Sequence, residues 1–100
     1  MSDPTTLVVT ATPNPDEPEA QKEYLTGALP LLMGAGGSIV KRLKITDGVG
    51  DGMPFALVLV MAFDSKEKVL AMFASEAYQA LIPMRDRGFS SIALALGSDM

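Results

Sequence analysis

The 100-residue sequence contains no cysteine and no histidine. It therefore forms no disulfide, offers no thiol nucleophile, and lacks the side chain whose ordinary pKa lies closest to neutral pH. Together the two absences exclude the common zinc sites, which are built from cysteine and histidine. Proton transfer would have to rest on tyrosine, aspartate, glutamate or the substrate itself, and we predict neither a bound metal nor a cofactor.

Positive charge is also scarce. Lysine and arginine number 8 against 12 acidic residues, which gives a net charge of −4. Nucleic acids and anionic membranes bind basic surfaces, so we expect neither as a partner. The longest apolar run, residues 55–63, is less than half of the about 20 residues that a membrane helix requires. The first residues include Asp3 and Pro4 instead of the basic and apolar stretches of a secretory signal, so we expect a soluble, cytoplasmic protein.

Apolar residues make up 48% of the chain, enough for the core of one domain. We predict a single domain, 1–100, with an ordered core at about 5–96. The predicted elements are a strand at 5–12, a helix that begins after 14–16 and ends at the glycines of 34–37, strands at 38–45 and 55–63, a helix from 64–65, a short helical piece at 75–83, a charged turn at 85–88 and a strand at 89–96. Pro30 lies inside the first helix and predicts a kink or two shorter helices.

The order strand–helix–strand–strand–helix–strand predicts an α+β, ferredoxin-like βαββαβ plait, in which an antiparallel four-stranded sheet carries its helices on one face. Right-handed crossovers place the first and third strands in the centre. Their apolar sequences fit that position. The second strand carries Lys41, Arg42 and Lys44, which is typical of an exposed edge.

The third strand predicts a partner for the sheet. It offers Leu57 and Leu59 to one face and Val58 and Val60 to the other, while the helices of a plait cover one face only. Each such side chain left in water forgoes about 1.5–3 kcal/mol. A monomer with a loop over the sheet is the alternative, but no loop is apolar enough. We therefore expect a homodimer through the sheet face, with a two-fold axis.

Several segments together resemble a known family. They are 18–24, Pro30, 36–37 before the second strand, 63–65 at the start of the second helix, 75–80, and Arg85. In order and spacing they resemble the dimeric α/β-barrel superfamily, and within it the family named domain of unknown function 1330. Two departures are Ala77, where the family often has glutamate before the tyrosine, and the long glycine-rich loop after the second strand. The resemblance implies a ferredoxin-like fold and a homodimer, and it supplies no agreed catalytic residue.

Four side chains are candidate ligand contacts: Tyr24, Tyr78, Arg85 and Arg42. The resemblance implies a small-molecule pocket between helices and sheet, and tyrosine hydroxyls and guanidinium groups are suitable partners for a carboxylate or enolate. We expect a small, mostly apolar and anionic ligand. The alternative is that both tyrosines complete the core and both arginines are solvated.

Two functions stay open from the sequence. One is a ligand-binding homodimer without catalytic activity. The other, implied by the resemblance, is a cofactor-independent monooxygenase or isomerase that acts on a small aromatic or lactone-like substrate. In that second case Tyr24, Tyr78, Glu76, Asp86 or the substrate would carry the proton transfers.

Overall fold

The computed structural model describes residues 3–100 and contains four strands and four helices in that range. They are β1 (Thr5–Pro13), α1 (Pro18–Gly34), β2 (Ser38–Lys44), β3 (Leu57–Phe63), α2 (Lys66–Ala74), α3 (Glu76–Gln79), α4 (Ile82–Gly88) and β4 (Phe89–Gly97). The strands form one sheet in the order β2-β3-β1-β4, and all three pairings are antiparallel. The ferredoxin-like plait is thereby confirmed, with β1 and β3 in its centre. No helix in the described range is long and apolar enough to cross a membrane.

Alternation along the two central strands divides the sheet into two different faces. Leu7 of β1 pairs with Met61 of β3, and both side chains are buried under the helices. The next pair, Val8 with Val60, points to the opposite face, where Val8 is 38% exposed. The fold measures 42 × 33 × 16 Å between Cα positions. Its smallest dimension, 16 Å, corresponds to one layer of helices on one sheet. One face of the sheet is therefore uncovered in the single chain.

Strand β2 contains a β-bulge at Val40. Ile39 pairs with Met61 and Lys41 pairs with Val60, so Val40 is one residue more than β3 can match. A bulge of this kind interrupts the alternation of side chains along the strand. Strict alternation from Ile39 would place Lys41 on the helix side of the sheet and Arg42 on the other side. Because of the bulge, the two residues are reversed: Lys41 pairs with Val60 and Arg42 pairs with Leu59.

Helix α1 packs on the sheet through a stripe of residues spaced by four. Ala20, Tyr24, Ala28 and Leu32 are all buried, and the two alanines allow the helix backbone to approach the strands. The helix continues through Pro30, so the alternative of two shorter helices is wrong. A proline ring removes only one backbone hydrogen bond of the helix, and here the buried stripe continues on both sides of it.

The segment after α2 folds into two helices instead of a helix and a turn. Ser75 begins α3, because its hydroxyl accepts a hydrogen bond from the backbone N–H of Tyr78 at 3.2 Å. Residues 85–88, which were predicted as a charged turn, belong to α4. The prediction was wrong because Pro83 was interpreted as a helix end, whereas it occupies the first turn of α4, where a missing N–H is tolerated.

The end of α4 fits closely against the start of α1. The backbone N–H of Asn14 donates to the carbonyl oxygen of Gly88 at 2.9 Å. A Cβ atom at Gly88 would lie 2.8 Å from the backbone nitrogen of Gln21. This position therefore holds a glycine because any side chain would push the two helices apart.

We predict that Gly88→Ala destabilises the fold by about 1–3 kcal/mol, since a rigid backbone lies where the new methyl group must go. Thermal unfolding followed by circular dichroism measures the loss, which corresponds to a Tm lower by about 4 °C or more. Gly34→Ala is the matched control, because a Cβ at Gly34 meets nothing within 4 Å. Equal Tm values for the two variants would contradict the packing described here.

Candidate functional site

Three of the four predicted site residues form one chain of hydrogen bonds. The hydroxyl oxygens of Tyr24 and Tyr78 lie 2.9 Å apart, and either hydroxyl can donate. The Nη1 atom of Arg85 donates to the hydroxyl oxygen of Tyr78 at 3.2 Å. Because the three residues come from α1, α3 and α4, the chain joins three helices at one point.

The two tyrosines are core residues as well as polar groups. Tyr24 is 5% exposed and Tyr78 is 2% exposed. Their rings meet edge to face, with centroids 6.2 Å apart. Phe89 packs edge-on against Tyr24 at 5.9 Å, and Phe73 against Tyr78 at 4.9 Å. Such edge-to-face contacts fix the ring planes, and with them the positions of the hydroxyls.

The buried hydroxyl of Tyr24 holds its proton more tightly than the hydroxyl of an exposed tyrosine does. Burial raises the pKa of Tyr24 far above its ordinary value, the hydrogen bond to Tyr78 raises it further, and the charge of Arg85 opposes the shift only in part. Burial also disfavours the charge of Arg85, but hydrogen bonds to Tyr78 and Asp86 outweigh it and raise the pKa of Arg85. At neutral pH the chain therefore contains a neutral Tyr24 and a cationic Arg85.

A cavity of about 380 Å³ lies between α1 and the sheet, and we call it the inner cavity. Its volume is at the small end of the range for ligand pockets. Most of its surface is apolar. The apolar lining residues are Val9, Ala11, Leu25, Ala28, Leu29, Leu32, Ile39, Leu43, Leu57, Val58, Leu59, Phe73, Phe89, Ile92 and Leu94.

The polar groups of the inner cavity are a hydroxyl, an amide and two cations. They belong to Tyr24, Gln21, Arg42 and Lys44, and within residues 3–100 no acidic side chain lines the cavity. Arg42 and Lys44 both face the helices because they follow the bulge of β2. In a protein with a net charge of −4, this is a local region of positive charge.

A second cavity, of about 550 Å³, lies beside the edge strand β4, and we call it the edge cavity. It is lined by Tyr78 and Arg85 together with Lys66 of α2. The predicted site residues are therefore divided: Tyr24 and Arg42 line the inner cavity, while Tyr78 and Arg85 line the edge cavity. The hydrogen bond between the two tyrosines connects the two groups.

Gln21, Lys44 and Phe73 are among the lining residues that sequence reasoning missed. Gln21 stands one position from the buried stripe of α1, and its amide donates to the carbonyl oxygen of Asn14 at 2.6 Å. Lys44 was interpreted only as an edge charge, because the bulge that turns it toward the helices leaves no pattern in the sequence. Phe73 lies four positions after Val69, which is buried on α2, and this helical spacing was the signal that could have placed it toward the core.

Acidic groups lie away from the inner cavity. Within the described part of the chain, no three aspartates or glutamates come close enough to hold a metal ion. Asp47 and Asp51 are exposed in the loop between β2 and β3. The arrangement in the inner cavity can therefore bind an anion by charge and hydrogen bonding, with an apolar surface around it.

The sequence matches the model of a family described as Domain of unknown function (DUF1330) over residues 5–96. That match confirms the resemblance derived from the sequence segments. A comparison with curated proteins gives no match.

Solved structures show the same fold at low sequence identity. A protein of unknown function from Rhodopseudomonas palustris is 16% identical with a TM-score of 0.78, and the match covers 100% of this chain and 85% of that one. A protein from Mycobacterium tuberculosis is 17% identical with a TM-score of 0.70, covering 98% and 96% of the two chains. A putative antibiotic biosynthesis monooxygenase from Nitrosomonas europaea is 16% identical with a TM-score of 0.67, covering 100% and 93%. At these identities the likeness concerns the fold alone.

The buried hydroxyl of Tyr24 predicts a loss of stability in alkali. The unfolded chain releases the tyrosine proton near pH 10, whereas the folded chain retains it, so the stabilisation is complete below about pH 10 and is lost as the pH rises toward the folded pKa. From this group the free energy of unfolding falls by up to about 1.4 kcal/mol per pH unit. Urea denaturation at several pH values between 9 and 11 measures the slope. Tyr24→Phe should flatten it, and equal slopes in both proteins would contradict the assignment.

Proposed function

The chain belongs to the family described as Domain of unknown function (DUF1330), and we propose that it is a homodimer that binds a small, mostly apolar anion in the inner cavity. One observation carries the proposal: two cations, a tyrosine and a glutamine are the polar residues that line a mostly apolar cavity. Apolar walls with a few converging polar groups are the usual composition of a ligand pocket.

Arg42 and Lys44 supply the charge complementarity. Both belong to the edge strand β2, and both line the inner cavity while remaining exposed to solvent. A guanidinium group can form two parallel hydrogen bonds with a carboxylate, which makes Arg42 the natural partner of an acidic head group. The remaining part of the ligand would lie against the leucine side chains of α1 and β3.

Tyr24 supplies the hydrogen bond deeper in the cavity. It is protonated at neutral pH, and when Tyr78 donates the hydrogen bond between the two tyrosines, the proton of Tyr24 is free to be donated to an anion or a carbonyl oxygen. Tyr78 and Arg85 line the other cavity, so we assign them the task of orienting the Tyr24 hydroxyl rather than touching a ligand in the inner cavity. Arg42 and Tyr24 are accordingly the contact residues, and Tyr78 and Arg85 are positioning residues.

Binding fits these groups better than catalysis. A cofactor-independent monooxygenase or isomerase that relies on a protein base needs a side chain that accepts a proton from the substrate. The raised pKa of Tyr24 makes that hydroxyl a donor, not a base. Glu76 is exposed, and Asp86 is 63% exposed with its carboxylate on Arg85 at 3.2 Å. Neither carboxylate lines the inner cavity.

The uncovered face of the sheet supports a homodimer. Val8 lies in its centre, paired with Val60 on one side and Ala95 on the other. Threonines Thr6 and Thr10 flank Val8 on the same face, so the central strand carries no charge there. A second copy packed face to face would bury these side chains on both chains at once.

We predict that Arg42→Ala weakens the binding of benzoate or hexanoate about tenfold or more, since a charge-assisted hydrogen bond contributes about 1.5–3 kcal/mol. Isothermal titration calorimetry measures the affinity, which should change little between pH 6 and 8 because no lining group has an ordinary pKa in that range. Lys41→Ala is the matched control. Lys41 is the neighbouring cation but pairs with Val60 on the opposite face. Equal losses in both variants, or no binding of either acid to the unaltered protein, would contradict the proposed site.

We also predict a mass of about 21 kDa in solution, twice that of the 10.5 kDa chain, by static light scattering. Val8→Lys should halve this mass, because it places charges on both sides of the sheet interface. Met33→Lys is the control, since Met33 is 51% exposed on α1, away from the uncovered face. A monomeric unaltered protein, or a Val8→Lys variant that remains dimeric, would contradict this part of the proposal.

A further inference from the structure

A single layer of side chains separates the inner cavity from the edge cavity. Phe73 and Leu94 line both cavities. Tyr24 lines only the inner cavity and Tyr78 only the edge cavity, yet their hydroxyl oxygens are 2.9 Å apart. These four side chains are therefore the wall between the two spaces.

Phe73 differs from the other members of this wall. The two tyrosines are tied to each other by their hydrogen bond, and Leu94 belongs to the sheet. Phe73 projects from α2, is half-buried, and forms no hydrogen bond with its side chain; its ring stands edge-on to Tyr78 at 4.9 Å. Removing its ring would open the wall without removing any of the three side chains that form the hydrogen-bond chain, Tyr24, Tyr78 and Arg85.

We propose that Phe73 sets the upper size of the ligand, so that the protein selects short anions, with one ring or a short aliphatic chain, over long-chain acids. This inference rests on the proposed binding of an anion in the inner cavity. With its head group at Arg42, an apolar tail extends between α1 and the sheet toward Phe73, and the ring blocks further carbons from the edge cavity.

The proposed upper size of the ligand can be measured from the affinities of a series of acids of increasing chain length. Each methylene group that moves from water into an apolar cavity strengthens binding about fourfold. The gain continues only while the tail has space to fill. At the length where the tail meets Phe73, added carbons bring no further gain, and the plot of affinity against chain length has a break.

The experiment is calorimetric titration with straight-chain carboxylates from butanoate to dodecanoate, below their micellar concentrations. The unaltered protein should show the break within this series. In Phe73→Ala the break should move to longer acids by several carbons, and acids beyond the original break should bind at least about tenfold tighter than to the unaltered protein. Phe73→Leu, which fills part of the space and preserves an apolar side chain in the core, should give an intermediate break.

Leu29→Ala is the matched control. Leu29 lines the inner cavity but not the edge cavity, so this variant enlarges the site without opening the wall, and its break should stay in place. A break at the same length in the unaltered protein and in both Phe73 variants would overturn the role of Phe73 while leaving anion binding intact. The absence of any break up to dodecanoate would overturn it as well. If no acid binds, the proposed function itself fails, which is a distinguishable result.

Discussion

The hydrogen bond between the hydroxyls of Tyr24 and Tyr78 is the contact on which the candidate site depends. It joins α1 to α3 inside the core, and Arg85 extends it to α4. A buried hydroxyl without a partner costs about 1–3 kcal/mol, so the two groups hold each other in place. Across residues 3–100, no buried side-chain nitrogen or oxygen lacks a partner. Together with Phe73 and Leu94, the same pair separates two cavities, one lined by Tyr24 and the other by Tyr78.

The β-bulge at Val40 decides where positive charge meets this space. Edge strands commonly carry lysine and arginine to prevent pairing with other chains. In β2 the bulge separates these cations by face: Lys41 points to the uncovered side of the sheet, while Arg42 and Lys44 border the inner cavity. The cations of β2 therefore have two roles: they protect the edge of the sheet, and two of them place positive charge beside the inner cavity.

The fold was predictable because its signals are local and repeated. The apolar third strand, the stripe of α1 at spacing four and the order of elements each indicate the plait, and the structure has the predicted strand order. The helix α4 was not predicted, because Pro83 was interpreted as the end of a helix, and a proline is equally suited to follow a helix and to begin one. Tyr24, Tyr78, Arg85 and Arg42 were predicted together as ligand contacts; hydrogen bonds join the first three, and contact of any of the four with a ligand stays a prediction. That they border two different cavities depends on how α2 and α3 pack, and tertiary packing of this kind has no sequence period.

We propose that an anion binds in the inner cavity with its charge at Arg42, and the decisive measurement is a crystal structure of the protein with bound benzoate or hexanoate. The predicted result is a carboxylate within hydrogen-bond distance of the Arg42 guanidinium, with the apolar part of the acid between α1 and the sheet. A carboxylate bound instead to Arg85 in the edge cavity, or to the uncovered face of the sheet, would contradict the claim.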